Sequence, residues 1–221
     1  IGLIGSDVLS GNLEREIGEN VGSYEIRIGT LSGLPNYVIG SFVKDTFKIL
    51  PKKVTVVVNS NQQKEYGSHD PIFTYSHSGL LSGDFLTGML ERISGENVGS
   101  YKILKGTLSV SSNYAIDFQG ADFTIIPKRL DVKADQGLSK SYGDSDPIFT
   151  FIQYGLLAGD MITGKLSRSK GESAGQYNIT QGNLTAGNNY YIVFDDALFT
   201  IHPAPLTAQI EVERKQYDGN V

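Results

Sequence analysis

Arg15, Arg92 and Arg168 each stand four residues ahead of a glutamate, Glu19, Glu96 and Glu172, with a glycine between them. Such a pair across a turn can be a salt bridge that fixes the connection between two strands, worth about 0–1 kcal/mol when exposed. It can also be a charge offered once per repeat to a ligand. The structural role is the preferred reading of Arg92, Glu96, Arg168 and Glu172. Asp7, Asp84 and Asp160 close glycine-rich turns, and Asp70 and Asp146 precede a proline. Calcium would need six to eight oxygens gathered from such turns, which makes Asp84, Asp160, Asp70 and Asp146 its candidate ligands. The acidic residues are scattered over several turns, however, and no EF-hand loop is present. Aspartate before Gly or Pro is also an ordinary turn device. No cofactor is therefore expected, with calcium kept as the alternative.

Lys64 and Lys140 lie two residues before a recurring Tyr-Gly, and Lys215 takes the matching place near the end of the chain. A buried lysine near an Asn or Asp, with a carboxylic acid beside it, could form an internal isopeptide bond. The expectation for these three is instead a solvated lysine on a strand. Tyr66 and Tyr142 open the Tyr-Gly pairs. If exposed, they could contact a ligand; otherwise they are packed rings beside a residue that tolerates positive φ.

Catalytic chemistry finds little support. His69, His77 and His202 are the only histidines, and none recurs at an equivalent position. Cysteine is absent, which removes thiolate metal sites, disulfides and thiol nucleophiles together. No nucleophile elbow or phosphate loop is present, so the chain is not expected to be an enzyme. With 19 basic against 24 acidic residues the net charge is −5, unsuited to a polyphosphate backbone, and nucleic acid is not an expected partner. No stretch approaches the roughly 20 apolar residues of a membrane helix. This segment is expected not to insert into a membrane.

The residues above recur because the sequence repeats. Tyr66–Thr74 returns at Tyr142–Thr150, 76 residues further on, and Gly79–Asp84 returns at Gly155–Asp160 with the same offset. Between 52–127 and 128–203 about 35 of 76 positions are identical. Gly18–Tyr24 matches Gly95–Tyr101, with one extra residue between Tyr37 and Phe47. The boundaries that follow are 1–51 for the C-terminal part of a first repeat, 52–127 and 128–203 for the second and third, and 204–221 for the start of a fourth. Both ends fall inside repeats, which leads one to expect a longer natural protein.

Alternation with period two dominates: Val54, Val56 and Val58; Leu130, Val132 and Ala134; Leu206, Ala208 and Ile210. Some six strands per repeat are predicted, near 53–59, 71–77, 86–92, 100–108, 114–118 and 122–126. The fold class is all-β: tandem small β-sandwich repeats of immunoglobulin-like size in an elongated array. The alternative is a β-grasp-like α+β repeat, whose one helix would have to fit between Gly79 and Gly88, where glycines interrupt it. Phe123–Val132 passes from strand to strand through Pro127 with no Gly/Ser spacer. A short stiff junction of this kind implies neighbours that touch.

The ordered blocks Lys-x-Tyr-Gly-x-x-Asp-Pro, Gly-Leu-Leu-x-Gly-Asp, Arg-x-x-Gly-Glu-x-x-Gly-x-Tyr, Asn-Tyr and Phe-Thr-Ile-x-Pro resemble the MBG domain family of bacterial surface proteins, in its Tyr-Gly type. Tyr217-Asp218-Gly219 hints at a following module of the related Tyr-Asp-Gly type. The resemblance implies tandem arrays in secreted or surface-anchored, adhesin-like proteins, and supplies no catalytic residues. On this basis the chain is expected at the bacterial cell surface, as stalk repeats that space an adhesive region from the cell. Neighbouring repeats would be its partners. The alternative is that the repeats themselves bind a host or matrix glycan or protein. Ala174, Gln176 and His202 depart from the blocks.

Overall fold

The computed structural model describes residues 2–32, 35–212 and 214–219, and among them there are strands and turns but no helix. The first repeat contributes β1 (Glu14–Arg15), β2 (Gly22–Arg27) and β3 (Thr46–Ile49), an antiparallel sheet in the order β1-β2-β3. The second is built from β4 (Lys52–Val58), β5 (Gln62–Glu65), β6 (Tyr75–Ser78), β7 (Glu91–Arg92), β8 (Gly99–Leu104), β9 (Tyr114–Gln119) and β10 (Asp122–Ile126). These form two sheets, β6-β4-β9 and β5-β10-β8-β7. The third repeat reproduces both with β11 (Lys128–Ala134), β12 (Ser139–Ser141), β13 (Phe151–Tyr154), β14 (Ser167–Arg168), β15 (Gly175–Thr180), β16 (Tyr190–Asp195) and β17 (Ala197–His202). Their orders are β13-β11-β16 and β12-β17-β15-β14.

The two sheets of the third repeat face one core. β11 supplies Leu130, Val132 and Ala134 from one side; β15 and β17 supply Ile179, Ala197, Phe199 and Ile201 from the other. Alternate side chains of a strand point to opposite faces, so the period-two pattern is what fills this layer. The second repeat buries Val54, Val56, Val58, Ile103 and Phe123 in the same way. β4 pairs in parallel with β9, Val54 opposite Ile116, and β11 with β16, Leu130 opposite Ile192. A parallel pair needs a long crossover, and here the intervening strands of the other sheet provide it.

The all-β expectation holds. The window from Gly79 to Gly88 forms a turn, closed by Asp84 N–H donating to the Leu81 carbonyl, and a bridge at Thr87 rather than a helix. The strand count is corrected to seven. β5 has the alternation of a strand, but its inward residue is Lys64, so an apolar pattern could not reveal it. The strand predicted at 86–92 shrinks to Glu91–Arg92.

By contacts the chain divides into two units. One comprises 1–64, 70–95 and 99–124, and the other 65–69, 96–98 and 125–221. Two loops of the second repeat, Glu65–His69 and Glu96–Val98, thus belong to the unit of the third.

Candidate functional site

The recurring arginine is the centre of a closed cluster inside each repeat. Arg168 leaves β14 and grips the Asp146 carboxylate with two parallel bonds, Nε to Oδ2 at 2.7 Å and Nη2 to Oδ1 at 3.0 Å. Nη1 donates to the carbonyls of Ser169 and Gly171, at 3.1 and 2.5 Å, and Nη2 also reaches Glu172 at 2.5 Å. The guanidinium lies over the rings of Tyr177 and Phe199, 5.0 and 5.4 Å from their centroids. Arg92 repeats this with Asp70 (2.6 and 3.0 Å), the Ile93 and Gly95 carbonyls, Tyr101 and Phe123. Arg15 does so with Glu19, the Glu16 and Gly18 carbonyls, Tyr24 and Phe47. A planar fork that pairs bidentately and stacks on aromatics is a site lysine could not fill. The glycine is fixed by the same geometry. Gly171 has φ +144°, and a Cβ there would stand 2.3 Å from the Tyr177 ring.

Lys64 and Lys140 are not the solvated lysines expected. Their side chains are 4% and 5% exposed, and Nζ lies 2.7 Å from Asp70 and 2.8 Å from Asp146 respectively. Lys140 also bonds Glu172 at 2.6 Å. A buried ammonium must be paired to be tolerated, and in the third repeat two cations meet two carboxylates. Hydrogen bonds from Arg168, then Lys140, hold Asp146 below the usual carboxylate range, and Arg92 with Lys64 does the same to Asp70. Bonds from Lys140 and Arg168 likewise lower Glu172, while Asp146 and Glu172 push Lys140 up. Amide condensation requires a neutral amine and a protonated acid. This cluster favours the reverse in both partners, so its geometry brings an isopeptide pair together and its electrostatics oppose the reaction. An open cleft of about 580 Å³ borders Asp146, Ile148, Arg168, Lys170 and Glu172.

Asp84 and Asp160, the turn aspartates, are placed apart from Asp70 and Asp146. Asp84 accepts a hydrogen bond from the Tyr114 hydroxyl, and Asp160 from that of Tyr190 at 2.5 Å. The same hydroxyls accept from the backbone N–H of Leu81 (3.1 Å) and Leu157 (3.0 Å), so each tyrosine ties the Gly-Leu-Leu-x-Gly-Asp turn to the start of a strand. Burial, and then Asp160, push Tyr190 up to about 12. Among the described residues no three His, Asp or Glu side chains gather where a metal ion could sit.

The third arrangement joins successive repeats, and sequence reasoning missed it. Asn189 of the third repeat accepts from Val98 N–H at 2.9 Å and donates to Asn97 Oδ1 at 3.0 Å. Asn113 of the second accepts from Val21 N–H at 2.8 Å and donates to Asn20 Oδ1 at 2.9 Å. Beside the first of these clasps, Tyr66 sets its ring edge against Tyr190, centroids 5.4 Å apart, and its hydroxyl 3.3 Å from Asp160. Gly67 sits against Leu157, where an added Cβ would come within 2.2 Å of Cδ1. Tyr66 is therefore a contact with the next repeat, whereas Tyr142 is 57% exposed. The signal was present: Tyr-Gly and Asn-Tyr recur with fixed spacing. Their partners lie in a different copy, which spacing within one copy could not disclose.

Seven short strands in two sheets around one core, formed by the second and third repeats in tandem, with a charged cluster inside each repeat and clasps between them, define an all-β tandem-repeat protein. The MBG domain (YGX type) family matches residues 1–48, 54–124 and 130–200, and the chain belongs to that family. No curated protein sequence matches the chain closely enough to count as a relative.

Proposed function

We propose that this chain is a structural, non-catalytic segment of an extracellular adhesin-like protein at the bacterial cell surface, in which the repeats serve as a spacer for an adhesive region. The observation that carries this reading is the recurrence of one clasp, Asn113 on Asn20-Val21 and Asn189 on Asn97-Val98. Each repeat spends its most distinctive residues on itself or on its neighbour. The charged side chains of the third-repeat cluster pair with one another, and hydrogen bonds from Arg168 and Lys140 hold its two acids below the usual carboxylate range. Small-angle scattering from the fragment tests the reading. An elongated particle several repeat-lengths long is expected, and a compact globule would overturn it.

A second reading is favoured by one feature, the exposed Tyr142. Rigid aromatic side chains are common anchors in interfaces, and a host or matrix glycan or protein could be held there. A glycan and matrix-protein array probed with the native chain and with Tyr142→Ala separates the two. Signal lost in the variant supports binding by the repeats; no signal with either retires it.

A further inference from the structure

We propose that the asparagine preceding the recurring tyrosine reads the loop of the preceding repeat, gripping Asn-Val by two hydrogen bonds and holding the Ser173-Ala174 found in the third less firmly, by one. The proposal rests on the spacer reading and deepens it by naming the residues that decide which repeats lock together.

Both interior junctions are read identically. The carboxamide of Asn113 or Asn189 turns its oxygen to a backbone N–H, that of Val21 or Val98. It turns its nitrogen to a side-chain oxygen, that of Asn20 or Asn97. A carboxamide alone offers a donor and an acceptor side by side in this way; aspartate lacks the donor, and leucine lacks both. The reader is held rigidly. The next residue, Tyr114 or Tyr190, is locked to Asp84 or Asp160 in its own repeat. The Asn113 carbonyl accepts from Lys52 N–H and that of Asn189 from Lys128 N–H, both at 2.9 Å, anchoring the reader to the first strand of its repeat. The loop that is read is held as well. Tyr24 hydroxyl donates to the Asn20 carbonyl at 2.6 Å, at the foot of the Arg15 cluster. Tyr177 hydroxyl donates to the Ser173 carbonyl at 2.7 Å, so the third-repeat loop has the same backbone anchor. What differs there is the side chain. Ser173 ends one atom short of the oxygen that Asn97 presents, and Ala174 removes the branched valine beside it. A reader meeting this loop keeps the backbone bond and loses the side-chain one. The third repeat would therefore hold a following repeat less firmly than the second holds the third. The array would contain locked junctions and a written joint.

The test transplants the joint into a locked position of the intact chain. Amide hydrogen exchange is followed at position 98 in the native chain, in Asn97→Ser/Val98→Ala and in Asn189→Ala, each corrected for intrinsic rates. Loss of about one hydrogen bond, that of Asn97, predicts roughly tenfold faster exchange at position 98 in the Ser-Ala variant, and Asn189→Ala, which loses both bonds of the clasp, predicts a larger rise. The Val21 amide, clasped by Asn113, reports that the rest of the chain remains folded. Protection at position 98 that survives the Ser-Ala transplant within about a factor of two overturns the proposal. So does equal loss at Val21, because the effect would then be general rather than at the junction. A compact particle in scattering would sink the spacer reading while leaving this exchange result intact.

Discussion

The turn at Tyr66-Gly67 and the turn at Tyr142-Gly143 have nearly the same sequence and the same place in their repeats, yet they live in different surroundings. Tyr66 meets Tyr190 and Asp160, and Leu157 fills the space where a Gly67 side chain would go. Tyr142 is exposed, and a Cβ on Gly143 would meet nothing within 4 Å. The lysine–aspartate pair beside each turn, by contrast, behaves alike in both copies: Lys64 is buried on Asp70 as Lys140 is on Asp146. The lesson is that the repeat has two kinds of signature residue. One kind closes the repeat on itself; the other is completed only by a neighbour.

Substitutions should separate the two kinds. Removing an internal residue should hurt both copies equally. Asp70→Ala and Asp146→Ala each strand a buried lysine and arginine, and we expect losses of about 2–3 kcal/mol in chemical denaturation. That is below the range for fully buried pairs, because a third of each carboxylate side chain faces water. Clearly unequal losses would break the equivalence. Removing a junction residue should hurt only one copy. Tyr66→Ala is expected to lower the thermal midpoint by roughly 3–6 °C and Tyr142→Ala by no more than about 1 °C. Gly67→Ala should cost more than Gly143→Ala. Both leave a β-carbon at positive φ, +79° and +95°, but only the first collides with Leu157.

Much of the first kind was legible in the sequence. Val54, Val56 and Val58 announced β4, and the spacing of Arg168 to Glu172 announced one edge of the cluster. Its other partner, Asp146, lies 22 residues before the arginine, and only folding brings it there. Lys64 escaped because a lysine on the inner face of β5 looks, in sequence, like a lysine on the outer face. The second kind was legible as pattern and not as role. Asn189 and Asn97 are 92 residues apart, so their pairing depends on how one repeat meets the next.

Acidity and alkalinity probe the same contrast with smaller effects. Asp70, Asp146 and Glu172 are depressed in the folded chain, so their contribution is present above the unfolded carboxylate values and lost as pH falls through the folded ones. Acid midpoints should therefore move upward in Arg92→Ala and Arg168→Ala, measured by circular dichroism against pH. Tyr190 is raised, so its contribution is complete below about 10 and lost as pH rises towards about 12. Tyr190→Phe should flatten the stability profile in that window. The smallest effect is expected from a chelator, which should leave the thermal midpoint unchanged; a drop would indicate a bound ion that stabilises the folded state.

The claim that Tyr66 belongs to the junction is tested most directly by a double-mutant cycle on Tyr66 and Tyr190, with Tyr142 and Tyr190 as the control pair. Tyr66→Ala and Tyr190→Leu, which removes the ring that Tyr66 packs against, should together lose clearly less midpoint than the sum of the single losses, while the control pair adds. Simple additivity for Tyr66 and Tyr190 would contradict it.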